Sequence, residues 1–148
     1  MRVRVSLLAV VLVWSSLLLQ ARQKVTTPEE LDKAMKRVNP AMQSVNKAVK
    51  SAAYADARKE LAVAKQALTD ASAFWTLHKK EDAQKFSADT LARLEAFDKV
   101  LAAPAVDAEA AMAAARDLSA SCRACHQVYR VPVEGGGYTL KPGSIGGN

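Results

Sequence analysis

Apolar residues recur at Leu31, Met35, Val38, Met42, Val45, Val49 and Ala52, in alternating steps of four and three. That period is the stripe of a helix packed on other helices, and it excludes a strand, whose side chains alternate every two residues. The start of this helix is equally plain: Thr27-Pro28-Glu29-Glu30 joins a capping box to a proline at the first helical position. Lys36, Lys47 and Lys50 fall on the opposite, solvated face.

Three further segments repeat the pattern. The second, about Tyr54 to His78, carries Ala57, Leu61, Ala64, Leu68, Ala71 and Trp75. The third, about Asp82 to Leu101, carries Phe86, Thr90, Leu94, Phe97 and Leu101. Ala103-Pro104-Ala105 then breaks the chain, and Asp107 is the expected N-cap of a fourth, alanine-rich helix running through Tyr129. Short connections make consecutive helices antiparallel neighbours, so the expected fold is all-α, an up-down-up-down four-helix bundle. All six glycines lie beyond residue 134, and residues 131–148 are expected to be a flexible tail.

The first four residues, Met1-Arg2-Val3-Arg4, are basic, Val5 to Leu19 is apolar apart from three serines, and Ala21 offers a small residue for cleavage. Residues 1–21 therefore read as a secretory signal peptide, leaving 22–130 as one helical domain. The alternative, a retained anchor, has an apolar run shorter than the ~20 residues a span requires. Either way the remainder is exported, to the periplasm or an equivalent space. With Arg2 and Arg4 removed, 19 basic residues face 15 acidic ones. That excess is small and interspersed along every helix, which argues against nucleic acid as a partner.

Both cysteines and one of the two histidines lie in Cys122-Arg123-Ala124-Cys125-His126, the C-x-x-C-H order of covalent haem attachment. On a helix, positions i, i+3 and i+4 share a face, so two thiols and one imidazole can hold a single flat porphyrin. A structural zinc site needs four ligands, and only His78 remains outside the cluster. A thioredoxin-like C-x-x-C expects a βαβ setting that is absent from the pattern. A Cys122–Cys125 disulfide in a haem-free helical interaction module leaves His126 without a role. The exported compartment agrees with haem c.

A helical bundle whose C-x-x-C-H lies near its end and continues as Gln127-Val128-Tyr129-Arg130 resembles the class II c-type cytochromes, the cytochromes c′ and their low-spin, methionine-ligated relatives. The resemblance covers about residues 27–130. It implies one covalent haem on Cys122 and Cys125, His126 as proximal iron ligand, and Arg130 beside the proximal face. The first helix faces the other axial site in this family, and Met35 stands where low-spin members supply a methionine. Two departures are visible. Leu31 replaces the arginine that many members carry one turn earlier, so no propionate partner is assigned, and the chain is short between its second and third helices.

Counting along the helices makes the same choice of methionine. In an antiparallel bundle the start of the first helix and the end of the fourth share one end, so Met35 and His126 lie at similar depth, whereas Met42 lies about 21 Å in and Met112 about 21 Å beyond His126, by count along their helices. Those two methionines are expected to fill core gaps. His78, ending the second helix beside Lys79-Lys80, is expected at the surface, favoured by the helix dipole. Pro40 removes the bond to the Lys36 carbonyl and should bend the first helix one turn beyond Met35.

These readings lead to an expected function of single-electron transfer by a non-enzymatic, exported monohaem protein with His/Met ligation. The expected partners are redox proteins, acidic ones suiting the mild positive charge, and the protein would be a monomer or homodimer without stable membrane insertion once the signal is cleaved. The alternative is a five-coordinate cytochrome c′ that binds NO or CO.

Overall fold

The computed structural model describes residues 25–146. The basic and apolar N-terminal segment on which the signal-peptide expectation rests lies outside them, as do residues 147–148. Four helices follow in order: α1 (Pro28–Lys50), α2 (Tyr54–Leu77), α3 (Glu81–Leu101) and α4 (Ala108–Tyr129). They form the expected four-helix bundle. Cross-helix pairs fix the directions: Arg37 of α1 meets Asp70 of α2 at 2.9 Å, Arg58 and Lys65 of α2 meet Asp98 and Glu95 of α3, and Tyr129 at the end of α4 donates to Asp82 at the start of α3. Each neighbour therefore runs antiparallel to the last. No helix among the described residues is long and apolar enough to cross a membrane.

Local chemistry sets the boundaries. The Thr27 hydroxyl accepts from the Glu30 amide at 3.3 Å, and the Glu30 carboxylate accepts from the Thr26 and Thr27 amides, so the capping box is complete. The Asp107 carboxylate accepts from the Glu109 and Ala110 amides at 2.8 and 3.1 Å. Pro40 sits on the exposed side within an unbroken α1. The C-termini of α1 and α2 close without glycine. Ala52 and Lys79 take left-handed conformations, φ 56° and 54°, while the amides of Ala53 and Lys80 reach back to the carbonyls of Ala48 and Trp75 at 2.8 and 3.0 Å. Both are Schellman closures, and each places a β-carbon where glycine is preferred. Ala52→Gly and Lys79→Gly are each expected to raise stability by about 0.5–1 kcal/mol, read as a shift in the urea midpoint at constant slope.

The core divides along the bundle axis. One cluster gathers Val45, Leu61, Leu94, Phe97 and Leu118, with Met42 and Cys122 packed against it. The other, at the end holding the α1 N-terminus and the α4 C-terminus, gathers Leu31, Ala34, Phe74, Trp75 and Tyr129, with Met35 and Cys125 against it. The face that α1 buries is rotated from the expected stripe. Ala34 and Ala41 are buried, whereas Met35, Val38 and Met42 are half-buried and Ala52 is exposed. Small residues such as these two alanines let α1 lie close on α2.

The segment expected to be a flexible tail departs from that reading. Arg130–Pro132 pairs antiparallel with Tyr138–Leu140, Arg130 opposite Leu140. Gly135, Gly136 and Gly137 turn the chain at φ 85°, 98° and 90°, values that only glycine adopts freely, which is why the glycines cluster there. The hairpin is fastened to α4: Lys141 donates from its amide to the Tyr129 carbonyl at 2.9 Å and from Nζ to the Gln127 carbonyl. Leu140 and Ile145 pack on the Phe74–Trp75 cluster, and Ser144 is buried.

Candidate haem-binding site

Cys122, Cys125 and His126 occupy the last two turns of α4, all half-buried. Both thiols are free. Burial raises their pKa values, that of Cys125 to about 11, so both are protonated at neutral pH. Burial, and then the nearby charge of Arg130, hold His126 below the ordinary imidazole value. It is neutral at pH 7, with a ring nitrogen lone pair free to ligate.

The seam between α1 and α4 positions this face. These two helices meet at few points, whereas α1 lies closely on α2 and α3 on α4. Asn46, Val49 and Lys50 of α1 line a groove there with Met112, Ala115 and Ser119 of α4. Met35 precedes Asn46 by eleven residues and His126 follows Ser119 by seven, so each lies within about 20° of the groove-lining line on its own helix. Arg37, which is turned to α2, stands about 160° away from Met35 around α1. Depth agrees as well. Leu31 and Tyr129 share the end cluster, Met35 lies one turn inward from Leu31, and His126 just under one turn inward from Tyr129.

The aromatic wall behind this face was only partly legible. Trp75 was visible in the α2 stripe, but Phe74, wholly buried beside it, was not. Phe74 meets Trp75 edge-on at 5.0 Å, and Trp75 meets Tyr129 at 4.7 Å. The Tyr129 hydroxyl donates to Asp82 at 2.5 Å, which lowers the Asp82 pKa and, together with burial, raises that of Tyr129. Asp70 is a second residue missed by the pattern: buried in α2, it is held by Arg37 and by Gln66 at 2.8 Å. Its i, i+4 relation to Gln66 was the available signal.

Arg130 caps α4, its amide donating to the His126 carbonyl, and its guanidinium lies 3.8 Å from the Tyr138 ring centroid. His78 is half-buried rather than free at the surface. Its ring lies 4.3 Å from Phe74, and Nε2 is 3.3 Å from the Thr26 carbonyl oxygen, fastening the end of α2 to the start of α1. His78→Ala is therefore expected to cost about 1 kcal/mol without changing a haem spectrum. A large spectral change in that variant would instead favour bis-His ligation.

Among the described residues no three His, Cys, Asp or Glu side chains converge on one point. The donors are two thiols and one imidazole on α4 and one thioether on α1, a set suited to a covalently attached haem. No family model matches the chain, and neither a curated protein nor a solved structure matches it.

Proposed function

We propose that this chain is an exported c-type cytochrome that carries single electrons on one haem held covalently by Cys122 and Cys125, with His126 and Met35 as axial ligands. The observation that carries the reading is the C-x-x-C-H order in the last turns of α4, at the end of the bundle where Met35 and Cys125 border the same core cluster. A haem bound there supplies a reversible one-electron Fe(III)/Fe(II) couple.

The protein's part is to hold that group still. Two thioethers would fix it to α4, and the neutral His126 offers a nitrogen donor that the Arg130 charge helps keep unprotonated. Met35 would supply a thioether donor, which favours the reduced state and raises the potential. Phe74, Trp75 and Tyr129 limit water on one side, and the hairpin fastened by Lys141 closes the end of α4. With His126 and Met35 both retained in the two oxidation states, little of the protein would need to move on electron transfer.

Expressed in a host competent for cytochrome c maturation, the chain should gain the mass of one haem and keep it through acid-acetone extraction. Its spectrum should be low-spin and unresponsive to CO. An unmodified mass sinks the proposal, and a high-spin, CO-binding haem would give first place to the gas-binding cytochrome c′ reading.

Acid should weaken the fold by a defined route. Amides at Thr26 and Thr27 and the Thr26 hydroxyl lower the Glu30 pKa, and the Arg58 hydrogen bond lowers that of Asp98. Folded values below the unfolded ones give stability that is present above about pH 4 and lost as pH falls through the folded pKa values. Urea midpoints measured between pH 6 and pH 3 should fall in that lower range, less so in Asp98→Asn.

A further inference from the structure

We infer that the cationic groove between α1 and α4 is the docking surface for an acidic protein partner; this rests on the electron-transfer reading and specifies where that partner sits. The groove encloses about 430 Å³. Val49 and Ala115 form its apolar floor, and the exposed Lys50, Arg116 and Arg123 form its rim. No carboxylate lines it, and among the described residues none of these three cations has an ion-pair partner. Asp117, next to Arg116 in sequence, is not among the residues that line the groove.

The contrast with the groove between α2 and α3 is informative. That groove also carries cations, but Arg58 is paired with Asp98 at 2.7 Å and Lys65 with Glu95 at 2.8 Å. Lys59 is likewise paired with Asp56, so of that groove's cations only Lys99 lacks an ion-pair partner among the described residues. The α1–α4 rim is left to be neutralised from outside, which selects a carboxylate-rich surface and speeds its encounter. Met112, 44 % exposed at the same groove, adds an adaptable apolar contact that an ordinary ion site would not need.

Position joins the groove to the proposed haem. Arg123 lies inside the C-x-x-C-H motif, one turn before His126, so a partner seated on the rim would sit within about one helical turn of the axial ligand along α4. An uncharged partner gains nothing from this rim. A nucleic acid would, and it becomes an outcome of the test.

The full exported chain is titrated with an oligoglutamate peptide while backbone amide shifts are followed, a measurement that reads the groove whether or not haem is attached. Shifts should concentrate at residues 46–50 and 112–123 and weaken as salt is raised. Lys50→Glu/Arg116→Glu should lower affinity about tenfold or more, whereas the exposed pair Lys33→Glu/Lys85→Glu should not. In the haem-loaded protein the same groove variant should slow electron exchange with ferricyanide and speed it with hexaammineruthenium. Shifts spread evenly over the surface, equal losses in both variants, or unchanged exchange rates would overturn the inference, as would tighter binding of an oligouridylate of matched charge. Absence of haem by mass would remove the electron-transfer reading and leave the peptide result standing separately.

Discussion

Met35→Ala is expected to convert a low-spin haem into a high-spin one that binds CO, with a fall in reduction potential. In the proposed site the thioether would hold the sixth position and favour ferrous iron, so its loss would act on spin, ligand access and potential together. Met42→Ala should behave differently. Met42 is half-buried against the Val45–Phe97 cluster, so it should lose about 2 kcal/mol of packing with the spectrum unchanged. Optical spectra of both variants, with and without CO, check the pair. A spin change in Met42→Ala and none in Met35→Ala would mean that the register of α1 against α4 is not the one described.

The second large effect separates the two ends of the core. Phe74 and Phe97 are both wholly buried, one in each cluster. Replacement of either by alanine is expected to cost about 3–5 kcal/mol, since each leaves a cavity that helices packed on three sides cannot close. Only Phe74→Ala should also disturb the haem, because Phe74 packs in the cluster that Met35 and Cys125 border. Urea midpoints should therefore drop alike, while broadened bands and CO binding appear in Phe74→Ala alone. Equal spectral effects in the two variants would show that the clusters do not act separately.

In the proposed protein, Met35 and the cationic groove would serve different steps of electron transfer. One concerns how electrons are held and the other how they are delivered. A protein with the proposed ligands and a neutral groove would exchange electrons slowly with charged partners, whatever its potential.

Much of the bundle was legible because it is written locally. The capping box at Thr27–Glu30, the Asp107 cap and the four-three apolar period all depend on groups within one turn of each other, so residue order alone specifies them. The C-x-x-C-H face is legible for the same reason: three side chains within five residues of a helix share a side. The turns after α1 and α2 were located only by where the periodicity ended, because Ala52 and Lys79 close them without the glycine that would mark them.

What sequence order determined by itself is therefore the four helices, their ends and the grouping of Cys122, Cys125 and His126. Tertiary structure decided the rotation of α1, which buries Ala34 and Ala41 and leaves Met35 and Met42 half-buried. It also decided that Phe74 and Asp70 are interior, and that the glycine-rich segment folds back as a hairpin held by Lys141. The physical reason is that an amphipathic stripe is wide enough to allow several rotations about the helix axis, and only the close approach of a neighbouring helix selects one. Likewise, a short two-stranded hairpin is marginal alone and becomes a fixed element only through the helix end it fastens and the cluster it covers.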